Sequence, residues 1–308
     1  MNIGIIGRTR TLLNTVKILV DEGYPIRFLY TCRSEPFYDC ESVEFENLAN
    51  EIGADFYNDL NINTEERVNT LSSYQCDLAI SMNWLNVLQA PICKAFKNGI
   101  WNAHMGDLPR YRGNACPNWA ILNGEEKIGL SIHEMVPGEL DSGDIILKEF
   151  FPLTEKTYIG DIYQWMNVKI PELFLAGIKQ LQQGVLNKTQ QSLIPGDALR
   201  CYPRKPNDGK INWSESVKNI YALVRASSAP FSGAFCFQED GQCIFIWEVE
   251  PFIHNSPFCA IPGQVMMRDK TDPIIACGDG ALKITKASTP NGEDAKPTIL
   301  KSLRNRLI

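Results

Sequence analysis

The 308-residue chain is poor in everything that metal, disulfide or membrane chemistry would need. It holds three histidines, and its ten cysteines are scattered at 32, 40, 76, 93, 116, 201, 236, 243, 259 and 277. No CxxC pair occurs, so neither a zinc-ligand spacing nor a disulfide framework is written into it, and no metal is expected. A run of about 18 uninterrupted apolar residues is missing, and the opening MNIGIIGRTR has no apolar signal-peptide core. Positive charge is not in excess either. Lys and Arg number 30 against 36 Asp and Glu, a net charge of -6, whereas nucleic-acid affinity rests largely on cations neutralising phosphates. Repeats and low-complexity runs are absent. These lacks point to a cytoplasmic protein with reduced thiols and without a membrane or nucleic-acid partner.

What is present is an ordinary composition, 44% hydrophobic and 21% charged, in a chain long enough for one large or two moderate domains. Ile3 to Ile6, ending at Gly7, reads as a first parallel strand. Leu12, Val16, Leu19 and Val20 then recur at helical spacing up to Gly23, and Ile26 to Thr31 is a second strand. Gly4 and Gly7 do not make a GxGxxG fingerprint, so a bound dinucleotide is not expected. Further strands are expected at 76–81, 99–104, 129–135 and 145–151. Helices are expected at 45–53, 63–71, 91–96 and 116–122, and a long amphipathic one runs from 157 to 184 with a kink at Pro171. The polar, turn-rich stretch 185–210 reads as a linker. Beyond it a helical stripe at 217–224 precedes five short strands at 234–238, 243–249, 263–267, 274–277 and 282–285, with a hairpin at Asp240 and Gly241. That pattern suggests a small OB-like β-barrel over 211–308. The final KPTILKSLRNRLI is a basic tail, helical or frayed.

Two segments carry chemistry: Gly99 to Gly113, GIWNAHMGDLPRYRG, and Glu139 to Asp144, ELDSGD. If the first begins as a buried strand, period-two alternation puts Asn102 and His104 on one face at its end. Gly106, Pro109 and Gly113 turn the following residues into a loop. The strand-like 129–135 stops at Pro137 and Gly138, leaving Asp141 and Asp144 in a second loop. In parallel α/β sheets, loops at the carboxyl ends of neighbouring strands share a crevice, where Asn, His and Asp can meet. A histidine near neutrality can take a proton from an amine, and an asparagine amide can donate to an oxyanion. Asp141 would orient or stabilise His104. The trio suits acyl transfer with the substrate's own amine as nucleophile. His133 alternates with Ile132 and is expected to pack locally. His254 falls in a polar loop.

NAHMGDLPRYRG followed by LDSGDI resembles the signature of the folate-dependent N-formyltransferases, and RKPNDGKINW, VRASSAPFSGAF and ACGDGAL resemble the C-terminal domain of methionyl-tRNA and sugar-nucleotide formyltransferases. The resemblance runs from about residue 1 to about 285. It implies an α/β fold, with a Rossmann-like, mostly parallel sheet and helices on both faces in a catalytic domain (1–184), a linker (185–210) and an OB-like β domain (211–308). It also implies catalytic roles for Asn102, His104 and Asp141 and 10-formyltetrahydrofolate as formyl donor. Asn86, Val87 and Leu88 fall where the pterin is held, with Pro137, Gly138, Glu139, Leu140 and Asp141 on its other side. The bland alternative for 86–88 is a hydrophobic turn. Arg110, Arg112, Asn114, Arg204 and Lys205 are candidate substrate contacts, although a structural ion pair for the loop arginines and a solvated basic turn for Arg204 and Lys205 are the plainer readings. Asn114 stands where aminoarabinose-modifying relatives have arginine.

The acceptor is where the resemblance divides. Methionyl-tRNA formyltransferases carry a basic insertion near residues 33–53, but here Arg33 stands against Glu35, Asp39, Glu41, Glu44, Glu46 and Glu51. Residues 201–308 carry 13 Lys and Arg against 11 Asp and Glu, a weak surface for gripping tRNA. The expected acceptor is therefore the primary amine of a nucleotide-linked amino sugar used for bacterial surface polysaccharide, with a homodimer possible as in sugar-modifying relatives. The alternatives are a methionyl-tRNA formyltransferase, a folate hydrolase and a non-catalytic folate or nucleotide-sugar binding module.

Overall fold

The computed structural model describes residues 1–34 and 40–308, so Glu35 and Asp39 of the acidic stretch lie outside the described residues. The elements in order are β1 (Ile3–Gly7), α1 (Arg10–Asp21), β2 (Ile26–Thr31), α2 (Ser42–Ile52), β3 (Asp55–Asn58), α3 (Glu65–Ser73), β4 (Leu78–Met82), α4 (Ala90–Cys93), β5 (Ile100–His104), β6 (Arg112–Gly113), α5 (Cys116–Leu122), β7 (Lys127–Glu134), β8 (Ile145–Pro152), α6 (Ile159–Gln183) and β9 (Arg200–Cys201). They are followed by α7 (Val217–Ser227), β10 (Ala234–Phe237), β11 (Cys243–Phe252), β12 (Val265–Asp269), β13 (Asp272–Ala276), β14 (Ala281–Ser288) and α8 (Lys296–Ile299). Two compact units result. One comprises 1–116, 127–152 and 164–201, and the other 117–126, 153–163 and 202–308.

The first unit is built on a seven-stranded sheet in the order β3-β2-β1-β4-β5-β7-β8. Its first five strands are parallel, and β1 and β4 are buried at every residue, which explains their continuous apolar runs. β3 is a half-exposed edge strand, Asp-Phe-Tyr-Asn, with too little apolar alternation to announce itself. α1 starts where the Thr9 hydroxyl accepts the Leu12 N–H, and α3 where Thr64 does the same for Arg67. α2 buries Phe45, Leu48 and Ala49 and leaves Glu46 and Glu51 in solvent, so these charges form a solvated helix face. The helix expected at 91–96 is only one turn, and α6 runs through Pro171.

One departure matters for function. β7 runs antiparallel to β5, with Trp101 opposite Glu134. The loop after β7 therefore leaves beside the start of β5, and does not come from the carboxyl end of a parallel neighbour as expected. Residues 189–201, inside the stretch read as linker, pair with the first unit. Ile145 and Thr189 exchange two main-chain hydrogen bonds of 2.8 Å, and β9 pairs with β6.

In the second unit the sheet order is β10-β11-β14-β13-β12, all antiparallel. Register shifts in β11 around Glu248 bend its ten residues. Ile220 and Val224 of α7 pack with Ile244, Ile246, Val249, Leu282 and Ile284 in the core. The tail is neither one helix nor frayed. After the single turn of α8, Ile308 and Phe237 exchange hydrogen bonds of 2.7 Å, while Leu307 donates to Gly263 and Val265 to Asn305. One short segment thereby covers both edge strands, β10 and β12. Among the described residues no helix is long and apolar enough to cross a membrane.

Candidate active site

β5 ends in Asn102-Ala103-His104, and alternation sends the amide and the imidazole to one face of the sheet. Antiparallel register places His133 opposite Asn102, and side chains paired across a ladder share a face. His133 therefore does not pack locally as expected, but joins the two. Asp141 reaches them from the β7–β8 loop, with its side chain 11% exposed. Its Oδ2 lies 3.5 Å from His104 Nδ1, and its Oδ1 lies 3.5 Å from His133 Nε2. Asn102 Nδ2 donates to His133 Nε2 at 3.2 Å.

Main-chain carbonyls select the tautomers. His104 Nε2–H donates to the Tyr111 carbonyl at 2.6 Å, and His133 Nδ1–H donates to that of Glu134 at 2.8 Å. The ring nitrogens left to accept protons, His104 Nδ1 and His133 Nε2, both face Asp141. Burial lowers the pKa of His104 below its ordinary 6.5, with the Asp141 carboxylate opposing. Burial alone would raise Asp141, but His104, His133 and the Gly113 N–H outweigh it and hold the carboxyl at about 2. Asp141 is thus ionised at neutral pH, where neutral His104 can act as a base.

The loops are shaped to make this fit. A Cβ on Gly106 would lie 2.2 Å from the Tyr111 oxygen and 2.5 Å from His104 Nε2, so only glycine leaves room for that hydrogen bond. Tyr111 and Asp141 hold positive φ angles of 59° and 51°, a conformation a side chain keeps only when its surroundings fix it. Part of that fixing is visible, since the Gly113 N–H donates to Asp141 Oδ2 at 2.9 Å. Cys116 Sγ–H donates to the same Tyr111 carbonyl at 2.9 Å, and burial raises its pKa strongly, so it is a structural thiol here.

The two segments expected to hold a pterin meet, because the Gly138 N–H donates to the Leu88 carbonyl at 3.2 Å. Asn86 is tied to the Leu60 carbonyl and the Val87 carbonyl to Asn63, while Pro137 and Glu139 stand exposed on the facing turn. Val87 is 48% and Leu140 is 40% exposed, apolar surface with main-chain polar groups beside it. Such a surface suits a flat heteroaromatic ring. Among the described residues, no group of three or more His, Cys, Asp or Glu is arranged to hold a metal ion.

The substrate candidates divide. Arg110 is exposed with its guanidinium over the Tyr111 ring, and Asn114 is exposed with its N–H on the Cys201 carbonyl. Arg112 is partly buried and donates to Gln191 Oε1 at 2.7 Å. Arg204 and Lys205 belong to the second unit. There Arg204 lies over the Trp119 ring and donates to the Asp208 carbonyl at 2.9 Å, whereas the Lys205 side chain is exposed. Sequence reasoning missed His133 and Gln191. For His133 a signal existed, since Gly129, Ser131 and His133 alternate with Ile128, Leu130 and Ile132 and mark a polar face.

Comparison with known proteins places this geometry. HypX from Aquifex aeolicus, solved in complex with tetrahydrofolic acid, superposes with a TM-score of 0.61 at 17% identity. The match covers 94% of this chain but only 44% of HypX, so the chain spans less than half of that protein's length. WlaRD, a sugar 3N-formyl transferase solved in the presence of dTDP and 5-N-formyl-THF, matches with a TM-score of 0.64 at 18% identity over 94% of this chain and 98% of its own. An N-formyltransferase from Helicobacter canadensis, in complex with folinic acid and dTDP-3-aminofucose, gives 0.66 at 15% identity over 93% and 99%. At these identities the likeness is one of fold. The family models go further: the formyl transferase model matches residues 36–176, around Asn102, His104 and Asp141, and the formyl transferase C-terminal domain model matches residues 204–302. With both domains matched in order over most of its length, the chain belongs to the formyl transferase family.

Proposed function

We propose that this chain transfers a formyl group from 10-formyltetrahydrofolate to the primary amine of a nucleotide-linked amino sugar, as a cytoplasmic enzyme of bacterial surface polysaccharide synthesis. The observation that carries the reading is the cluster itself, an ionised Asp141 within 3.5 Å of two imidazoles, with the Asn102 amide bonded to one of them. A merely binding module has no use for such an array.

Folate supplies the activated one-carbon group, and the segments 86–88 and 137–141 would hold it. Asn102 has one N–H on His133 and a second left for the carbonyl oxygen under attack, where charge accumulates. His104 takes the proton of the attacking amine at Nδ1, since Nε2 is committed to Tyr111, and returns it to the folate nitrogen as the bond from that nitrogen to the formyl carbon breaks. Asp141 stabilises the imidazolium that results and holds its orientation. Low exposure of His104 and Asp141 keeps bulk water from competing with the amine. The likeness to WlaRD and the Helicobacter canadensis enzyme supports an amino-sugar acceptor, and the net charge of -6 speaks against tRNA.

The test is a competition of acceptors. Purified protein and 10-formyltetrahydrofolate are given UDP-, dTDP- and GDP-linked amino sugars and, separately, charged initiator tRNA, and products are read by mass. A formylated sugar is expected. Formylated tRNA would overturn the acceptor class, and formate released without an acceptor would make the protein a hydrolase. Sedimentation of the active species tests for a dimer.

A further inference from the structure

We propose that Gln191 is a positioning residue for formyl transfer, fixing the Asp141 loop against the Arg112 loop so that the carboxylate faces both imidazoles. This rests on the function proposed above. Gln191 comes from the polar stretch between α6 and β9, yet it is only 4% exposed. Both its amide hydrogens are used on the loop that carries the carboxylate, Nε2 donating to the Asp141 carbonyl at 2.9 Å and to the Gly143 carbonyl at 2.7 Å. Its Oε1 accepts from Arg112 Nη2 at 2.7 Å.

Three features make this more than a buried polar residue that has found partners. The carbonyl it holds belongs to Asp141, whose φ of 51° needs outside support. The Arg112 loop it holds is the one whose Gly113 N–H donates to the Asp141 carboxylate, so one amide aligns the backbone of Asp141 and the donor to its side chain. The segment is also sewn down on either side of Gln191, by Thr189 to Ile145 and by Leu199 and Cys201 to Arg112 and Asn114. Two carbonyls require donors and the guanidinium requires an acceptor. Among side chains of this length, only a neutral amide offers both at once.

The experiment compares wild type, Asp141→Asn, Gln191→Leu and Gln191→Glu for kcat, KM and thermal unfolding, with the nucleotide-linked amino sugar that the competition of acceptors selects. Gln191→Leu is expected to lower kcat on the order of 10- to 100-fold, as small misplacements of catalytic groups do, while both KM values stay within about threefold. Its acid limb should move to lower pH, because a displaced Asp141 no longer supports protonated His104. Gln191→Glu supplies the readout that a structural role would not move. As a carboxylate it repels both carbonyls, and once protonated it can donate again. Its kcat relative to wild type at the same pH should therefore rise as pH falls. This ratio also carries the test if the leucine variant does not fold. A Gln191→Leu enzyme as fast as wild type, with Asp141→Asn inactive, overturns the role alone, as does a Gln191→Glu ratio independent of pH. A wild type that formylates no acceptor overturns the parent reading and this role with it.

Discussion

The crevice around β5 and β7 and the barrel of the second unit are built on opposite plans. The barrel core is aliphatic, with Ile244, Ile246, Ile275, Leu282 and Ile284 at no exposure, and its strands are regular apart from bulges. The crevice buries His104 and His133, sets Asp141 beside them with its side chain 11% exposed, and bends its loops through positive φ at Asn83, Tyr111, Ala115 and Asp141. Of the six such non-glycine residues described, those four lie in the loops around the cluster. Apolar burial stabilises by area and tolerates small shifts, whereas a buried charged cluster works only in one geometry. The first unit has thus placed four of its five such residues where chemistry is proposed, while the second shows one among its described residues, Lys270 in the β12–β13 turn.

That division predicts that substitutions separate into two classes. The largest effect is expected at the crevice. His104→Ala should reduce kcat by about 100- to 10,000-fold, and Asn102→Ala by about 100- to 1000-fold, with folate affinity by titration near wild type. Turnover of His104→Ala within about tenfold of wild type would remove its role as base. The mirror experiment is Ile246→Ala, which should cost about 2–5 kcal/mol in denaturant unfolding through the cavity it leaves, while kcat per folded molecule stays near wild type. A barrel-core variant that slows turnover without unfolding would break the division. Gly106→Ala lies between the two. Its methyl group must displace the Tyr111 carbonyl or His104, so turnover should fall on the order of tenfold with a destabilisation of about 1–3 kcal/mol.

Much of this is legible in the sequence, but unevenly. Asn102, His104 and Asp141 stand in dense motifs bounded by glycine and proline, and Ile244 and Ile246 announce their strand by alternation. His133 was only half legible: alternation marks the polar face of β7, but that face acquires meaning only once β7 is known to run against β5, and local pattern does not fix strand direction. Gln191 had no pattern at all, being one amide in a turn-rich stretch whose value comes from three contacts distant in sequence. The closing tail was hidden for a similar reason, since main-chain pairing at Leu307 and Ile308 leaves little trace in side chains.

The smallest effect is the most diagnostic, because it reads electrostatics without deleting an atom. His104 has a folded pKa below its ordinary 6.5, so on acidification the unfolded chain binds a proton before the folded chain does. Stability should therefore fall as pH drops from about 6.5 toward the folded value, where this loss is complete. Asp141 acts in a lower window with the same sign. Held at about 2 against an ordinary 3.8, it contributes stability that is present above 3.8 and lost as pH falls through about 2. Thermal midpoints against pH should fall in both windows for wild type. His104→Ala should flatten the upper window, and Ile246→Ala should lower the whole curve in parallel. Turnover adds an independent check, since the acid limb of kcat/KM in the free enzyme should have its midpoint below 6.5. A midpoint above 6.5 would mean that Asp141 outweighs burial at His104, whereas a rate that rises as pH falls through that range would mean that the imidazole enters the reaction protonated, as an acid rather than a base.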